Sequence, residues 1–267
     1  MPLYLKQYGE RRTGTNALRA LIAANYQDVR VLMHILGDKH SPPADLDALW
    51  SEVQNRRDRN WMFVSRATRD VPSRTTRRND HRQSVEMRRH AAPLAQAFAD
   101  GSFGYLVSIK DPYAWAVSLM RFTPWPRAVA LDQLREECGV FNGRYRAWLR
   151  LLESPRRPAL LVRHEDLVAD ANGVLERIDR RFGTSRSARF HPIAGVAVPA
   201  PWDHDPPPVS TQPFNAGRYL RREYLEVLTP VQREVVTSTI DWPLMEQFGY
   251  APLDATTPPR AAVMPTR

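Results

Sequence analysis

Residues 3–16 read Leu-Tyr-Leu-Lys-Gln-Tyr-Gly-Glu-Arg-Arg-Thr-Gly-Thr-Asn, and the architecture of the chain follows from them. The first half is a mostly apolar run that stops at Gly9, which predicts a short β-strand. Four residues then recur at the i, i+3, i+4, i+7 spacing of one helix face: Leu18, Leu21, Ile22 and Asn25. A strand, a glycine-containing loop and a helix in this order open an α/β unit.

Later segments continue the alternation of strands and helices. Three apolar runs have the composition of buried parallel strands: residues 29–36, 105–109 and 159–162. Pro112 stands where proline is favoured, in the first turn of a helix, and another helical pattern stops at Gly183. We therefore predict a three-layer α/β/α domain with a mainly parallel central sheet.

Two long segments have weaker patterns. Residues 41–100 lack a clear period, and the eight arginines within Arg66–Arg89 indicate a solvated surface. The alternatives are that this segment recognises an anionic acceptor or caps the site. Seven prolines lie within residues 192–213, which predicts a long ordered loop or a lid.

The C-terminal part is expected to be helical and then to fray. Helices are predicted over residues 219–228 and 231–248, with Gly249 as a plausible cap. We expect one domain over residues 1–250, followed by a flexible tail over residues 251–267 that is rich in Pro and Thr.

Composition excludes several kinds of protein. The 267 residues contain one cysteine, which excludes an internal disulfide and a cysteine-cluster metal site. No run approaches the roughly 20 apolar residues of a membrane span, and residues 1–10 lack the pattern of a secretory signal. We therefore expect a cytoplasmic protein without a membrane partner.

The net charge of +9 suggests a nucleic-acid partner, but the basic residues are divided unevenly between 35 Arg and 3 Lys. Such a skew is typical of a genome that favours Arg codons. The chain also lacks the zinc-finger spacing and the basic-aromatic motifs of nucleic-acid-binding proteins, so no nucleic-acid partner is expected. The lysines become the informative basic residues, because a compact point charge differs from a guanidinium fork.

The loop between the first strand and helix has the spacing of a phosphate-binding loop. Gly9 and Gly14 are separated by four residues, and backbone N–H groups at a helix N-terminus bind phosphate. A nucleotide-hydrolysing loop would carry Lys after the second glycine, where this chain has Thr15. A kinase or other ATP-dependent phosphotransferase therefore stays an alternative, and so does a merely polar turn.

Three separate motifs resemble those of the sulfotransferases that use 3′-phosphoadenylyl sulfate (PAPS). Arg12-Thr13-Gly14-Thr15-Asn16 looks like the 5′-phosphosulfate loop of that family. Lys110-Asp111-Pro112 followed by Ser118 looks like its 3′-phosphate motif, with Lys in place of the usual Arg. Arg163-His164-Glu165-Asp166-Leu167 is similar to the Arg-Tyr-Glu-Asp-Leu stretch after a later strand, and the Phe-Gly-Tyr at residues 248–250 is typical of bacterial members.

The resemblance implies a fold like that of P-loop nucleotide hydrolases, a sulfotransferase activity and a set of site residues. The residues implied to bind PAPS are Arg11, Arg12, Thr13, Gly14, Thr15, Asn16, Lys110, Ser118 and, on a poorer local match, Arg218. Lys39 would contact the transferring sulfonate, and His40 would act as the general base, with Asp38 and His34 as alternatives. The well-studied eukaryotic cytosolic members of that family carry Lys-x-His after the second major strand, whereas here Lys39 and His40 are adjacent. Neighbours on a regular strand point to opposite faces, so both side chains can reach one substrate only from a loop. Protein cations can serve in place of a metal, and Arg12 would also stabilise the leaving oxygen.

The acceptor is expected to be a small molecule or a carbohydrate that offers a hydroxyl or an amine. Its pocket would be built from residues 41–100 and 192–216, since loops carry specificity. The sequence predicts neither the acceptor nor the oligomeric state.

Overall fold

The computed structural model describes residues 2–32, 39–40, 93–94, 96–123, 126, 130–154, 157–186, 189–192, 195–199, 209–213 and 216–253. Several predictions lie outside these residues: the end of the second strand with His34 and Asp38, most of residues 41–100 with Arg66–Arg89, and the tail beyond residue 253.

A four-stranded parallel sheet lies at the centre, in the order β2-β1-β3-β4. Its strands are β1 (Leu3–Gly9), β2 (Val29–Leu32), β3 (Phe103–Ile109) and β4 (Ala159–Arg163). The register pairs Gly9 with Ser108, so β1 and β3 end side by side. Because the chain leaves β1 toward β2 on one side while β3 lies on the other, these two ends form a topological switch point. Ligands of open α/β sheets bind at the carboxyl ends of strands at such a point.

Eight helices are described: α1 (Thr15–Asn25), α2 (Pro112–Phe122), α3 (Ala130–Glu153), α4 (His164–Ala169), α5 (Ala171–Phe182), α6 (Ala216–Leu220), α7 (Pro230–Thr239) and α8 (Trp242–Glu246). A 3-10 helix at Glu223–Val227 separates α6 from α7, and residues 93–94 and 96–100 are also helical. Pro112 lies in the first turn of α2, as predicted. Gly183 ends α5 with a φ of 65°, a left-handed conformation that favours glycine. Among the described residues, no helix is both long and apolar enough to cross a membrane.

The strands bury both faces, and the alternation of side chains divides the core into two clusters. Leu5 and Leu106 pack with apolar residues of α1 and α5. Tyr8 and Val107, an odd number of positions further along their strands, pack on the opposite face with residues of α2, α3 and α7. This arrangement confirms the predicted three-layer α/β/α architecture with a parallel central sheet.

The prediction of a long ordered loop or a lid over residues 192–213 did not include the strands that the structure forms there. Gly195–Pro199 and Val209–Pro213 form an antiparallel pair, β5 and β6. Both strands end at a proline, a position where proline is tolerated in a strand. The number of prolines in this segment argued against strands in the sequence.

The two predicted C-terminal helices are each interrupted. The pattern over residues 231–248 breaks at Asp241, whose carboxylate accepts the backbone N–H of Leu244 and begins α8. Pro243 then lacks the N–H that a continuous helix would need. The pattern over residues 219–228 breaks at Arg222, whose φ is 55°.

Candidate functional site

The loop after β1 folds back on itself at the carboxyl end of the sheet. The carbonyl oxygen of Glu10 accepts the N–H of Thr13 at 3.2 Å and its Oγ1–H at 2.7 Å. Arg12 has a φ of 69° and Gly14 a φ of 83°, while Thr13 between them has a negative φ. Positive φ values at two positions so close together make a tight turn between β1 and α1.

Helix α1 begins at this loop without a side-chain cap. Its N-cap residue, Gly14, offers no oxygen to the N–H groups of the first turn. In contrast, α2, α5, α7 and α8 are capped by side chains: Asp111, Asp170, Thr229 and Asp241. Because the first N–H groups of a helix have no partner within the helix, α1 presents donors and a partial positive charge to an anion.

The two glycines of the loop lie too close to their neighbours to be replaced by larger residues. A Cβ at Gly9 would lie 2.6 Å from the carbonyl oxygen of Ser108, and one at Gly14 would lie 2.5 Å from Nδ1 of His164. The loop is thus held tightly against β3 and the start of α4.

Lys39 brings a cation to the first turn of α1. Its Nζ donates to Asn16 Oδ1 at 3.0 Å and to Thr15 Oγ1 at 3.3 Å. Its carbonyl oxygen accepts the N–H of Gly9 at 2.8 Å, which joins residue 39 to the end of β1. A positive charge therefore reaches the loop from another segment, although Thr15 occupies the position where ATP-hydrolysing loops carry lysine.

His40 also contacts the loop. Its Nδ1 lies 2.7 Å from the carbonyl oxygen of Gly9, and a carbonyl can only accept, so Nδ1 carries the hydrogen. In the neutral ring Nε2 then holds the lone pair, which is the state a general base needs. Residues 39 and 40 lie in a turn, and the side chains of both reach the loop, as the adjacent Lys and His require.

Lys110 follows β3 and lies beside the first half of α2. Its Nζ donates to Ser118 Oγ at 2.9 Å, across eight positions of sequence. The ammonium group also lies 4.5 Å from the ring centre of Tyr219, and Lys110 is only 1% exposed. The Lys and the Ser of the second quoted motif are therefore hydrogen-bonded to each other.

Two acidic residues interact: Asp111, which is next to Lys110 in the sequence, and Glu165, at the start of α4. Glu165 accepts the N–H of Asp111 at 3.0 Å and the hydroxyl of Tyr250 at 2.7 Å. Burial, together with the charge of Glu165, raises the pKa of Asp111 to about 6. Asp166 instead pairs with Arg163 at 2.7 Å.

His164 lies between the phosphate loop and the Lys110 site. It is 5% exposed, and its ring meets that of Tyr219 edge-on at a centroid distance of 4.7 Å. Burial and, to a smaller extent, the charge of Lys110 hold the pKa of His164 well below its usual value. The imidazole is therefore neutral at physiological pH.

The other predicted residues are placed as follows. Arg12 is exposed, with its guanidinium 4.8 Å from the ring centre of Phe122, one helical turn beyond Ser118. Thr13 is buried and its hydroxyl is used within the loop, whereas Arg11 donates its N–H to Glu10 Oε1. Arg218 belongs to α6, but its side chain lies outside the described set.

Sequence reasoning did not single out several residues that complete the site. Tyr219, beside the predicted Arg218, covers Lys110 and His164. Arg144 and Tyr145 of α3 contact Glu10 and Lys110, respectively. Nothing in the sequence marks Arg144, since it is one of 35 arginines. The sequence around Tyr145 shows only the helical spacing of Tyr145, Leu149 and Leu152.

Lysines, hydroxyls and backbone N–H groups thus meet at two neighbouring strand ends, an arrangement suited to binding anions. Within the described ranges no group of three or more His, Cys, Asp or Glu side chains could hold a metal ion. Comparison with known protein families, with curated proteins and with solved structures found no match to this chain.

Proposed function

We propose that this chain is a sulfotransferase that moves a sulfuryl group from 3′-phosphoadenylyl sulfate to a hydroxyl or an amine of a small-molecule or carbohydrate acceptor. The proposal rests on the three sequence motifs and on one observation. Two separate pairs of a lysine and a hydroxyl stand at the ends of adjacent strands: Lys39 with Thr15, and Lys110 with Ser118.

This arrangement suits a nucleotide with phosphates at two positions. The uncapped first turn of α1 and Lys39 offer donors to a 5′-phosphate, while Lys110 and Ser118 offer donors to a 3′-phosphate. ATP has no 3′-phosphate and would leave the second pair unused, which favours the bisphosphate nucleotide over ATP.

The chemistry assigned to the chain is mostly electrostatic. When bound, the donor supplies a sulfuryl group that is activated for in-line transfer. Lys39 and the N–H groups of α1 would neutralise charge that develops on the leaving phosphate, at the positive end of the helix. Arg12 would add a second cation to that phosphate from the exposed side of the loop. Such cations supply the charge stabilisation for which phosphoryl transfer uses Mg²⁺, so no metal is required in this proposal.

His40 would remove the acceptor proton. The carbonyl of Gly9 fixes the ring through Nδ1–H and leaves the lone pair on Nε2. A base held in this way contributes about 10²- to 10⁴-fold to a proton-transfer step. His40→Ala and Lys39→Ala should therefore lose the sulfuryl-transfer activity. Both variants should stay folded, since both residues are only half-buried.

The first test measures ligand-induced stabilisation. Adenosine 3′,5′-bisphosphate, adenosine 5′-phosphate and Mg-ATP are added separately, and the melting temperature is followed as a function of concentration. We expect the bisphosphate to stabilise most, by about 2.7 kcal/mol when its concentration is 100 times its Kd. Stabilisation by Mg-ATP with none by the bisphosphate would overturn the proposal in favour of a phosphotransferase.

Ser118→Ala tests the 3′-phosphate contact with a small change. The variant should bind the bisphosphate about three- to tenfold more weakly and adenosine 5′-phosphate unchanged, because one hydrogen bond is lost. Ser238→Ala is the matched control, because each serine is in a helix and donates its hydroxyl to the carbonyl four residues earlier. Equal affinities of Ser118→Ala and wild type for the bisphosphate would remove Ser118 from the site.

The activity itself is tested by transfer of labelled sulfate from PAPS to compounds in an extract of the source organism. Wild-type protein should label at least one compound, and His40→Ala should label it far more slowly. His40→Ala should still bind the bisphosphate as wild type does, because His40 is assigned to the acceptor. Wild-type rates in both His40→Ala and Lys39→Ala would contradict the assigned roles.

A further inference from the structure

Two consecutive residues of α3 hold the two halves of the proposed site. Arg144 contacts the residue that begins the phosphate loop, and Tyr145 contacts the residue that follows β3. Helix α3 is the longest described helix, with 24 residues, and it packs on the face of the sheet that contains Tyr8 and Val107. One rigid element therefore contacts both strand ends of the switch point.

The first contact is a buried ion pair. Arg144 donates to both carboxylate oxygens of Glu10, with Oε1 at 2.7 Å. The Glu10 side chain is 2% exposed and that of Arg144 is 18% exposed. Glu10 is also the residue whose carbonyl accepts the N–H and hydroxyl of Thr13, so the pair holds the turn that shapes the loop. Burial raises the pKa of Glu10, whereas the charge and hydrogen bond of Arg144 lower it. The ionised form of the carboxylate therefore depends on this arginine.

The second contact fixes the backbone of the proposed 3′-phosphate lysine. The hydroxyl of Tyr145 accepts the N–H of Lys110 at 3.2 Å and lies 3.4 Å from its carbonyl oxygen, to which it can donate. Tyr145 is fully buried, and its ring stacks on Phe141 at a centroid distance of 3.9 Å. The ring cannot shift freely, so the hydroxyl sets the position from which the Lys110 side chain reaches Ser118.

We propose that Arg144 and Tyr145 are positioning residues that set the distance between the 5′- and 3′-phosphate contacts, and so select nucleotides that carry both phosphates. The inference rests on the proposed function and extends it to the source of nucleotide selectivity. Neither residue touches the ligand: Arg144 acts through Glu10 and the loop, and Tyr145 acts through Lys110. Each should therefore affect the phosphate on its own side of the site.

The test compares binding of three ligands by calorimetry: adenosine 3′,5′-bisphosphate, adenosine 5′-phosphate and adenosine 3′-phosphate. Tyr145→Phe removes the hydroxyl and keeps the ring. It should weaken both ligands that carry a 3′-phosphate about three- to tenfold and leave adenosine 5′-phosphate unchanged. Arg144→Lys keeps the charge but replaces Nη1, the atom that donates to both oxygens of Glu10. It should weaken both ligands that carry a 5′-phosphate by a similar factor and leave adenosine 3′-phosphate unchanged.

Controls come from the same helix. Arg146→Lys alters an arginine that pairs with Asp241 away from the loop, and Leu134→Ala alters a fully buried side chain of the same helix, about three turns before Tyr145. Both should leave the ratio of the three affinities at its wild-type value, even where the melting temperature falls. Should Arg144→Lys fail to fold, Glu10→Gln tests the same contact with the arginine retained.

The outcomes separate the two proposals. A wild-type protein that binds no adenosine bisphosphate overturns the proposed function and this inference together. A wild-type protein that binds it, with Tyr145→Phe and Arg144→Lys weakening all three ligands equally or none, overturns the inference alone. Opposite selectivity changes in the two variants are the result we expect.

Discussion

Gly14→Ala tests how tightly the phosphate loop is held against His164. A methyl group at this position meets two separate costs. The residue has a φ of 83°, and an L-residue in the left-handed region costs about 1–2 kcal/mol. The new Cβ would also lie 2.5 Å from His164 Nδ1, and overpacking of a buried site costs about 1–3 kcal/mol more. We expect the free energy of unfolding to fall by about 2–5 kcal/mol in total.

Gly101→Ala separates the two costs. Gly101 has a φ of 84°, nearly that of Gly14, but a Cβ there would meet no atom within 4 Å. Its substitution should therefore cost only the conformational penalty. The difference between the two variants measures the contact with His164.

Urea unfolding followed by circular dichroism gives both free energies, and a double variant completes the cycle. Gly14→Ala combined with His164→Ala should recover most of the contact penalty, because the obstructing ring is gone. Equal losses in Gly14→Ala and Gly101→Ala, or no coupling in the double variant, would refute the close packing of the loop against His164.

Three further predictions concern the folded chain. Burial raises the pKa of Asp111 from 3.8 to about 6, so the folded state binds this proton more tightly than the unfolded state does. The stabilisation from the protonated carboxyl is therefore lost as pH rises from about 4 to about 6. Asp111→Asn should therefore gain stability relative to wild type across that range and level off above it, by at most about 3 kcal/mol, as measured by urea unfolding at several pH values. Cys138 is fully buried and its pKa is raised to about 12, so a thiol reagent should label it only at the rate of unfolding; fast labelling in native buffer would contradict the burial. Asp241→Ala removes the cap of α8 and should lower the free energy of unfolding by about 1 kcal/mol, as measured in urea.

Local rules predicted the elements of the sheet and the place of the loop. Gly9 and Gly14 bracket a strand-to-helix turn that the pattern of residues 3–25 already indicates, and Pro112 begins a helix as its ring favours. The structure also brings Lys110 and Ser118 to hydrogen-bonding distance, since both belong to one strand-to-helix connection.

Contacts between distant parts of the chain were not predictable. Glu10 and Arg144 are 134 positions apart, and their pairing depends on how α3 packs on the sheet. Similarly, the helical pattern breaks at Asp241 because its carboxylate accepts a backbone N–H and caps the next helix. The hydrophobic period of the sequence does not indicate this break.

The burial of Lys110 has a kinetic consequence. With 1% of the residue exposed and the Tyr219 ring over the ammonium group, a phosphate from solvent cannot contact Nζ until a covering side chain moves. Tyr219 belongs to α6, a helix of only five residues. Because so short a helix has few internal hydrogen bonds, we expect α6 to move when the site opens. Stopped-flow association with adenosine 3′,5′-bisphosphate should then reach a plateau rate at high ligand concentration, set by an opening step. The plateau rate would then equal the rate of the opening step and would not depend on the rate at which ligand and site diffuse together.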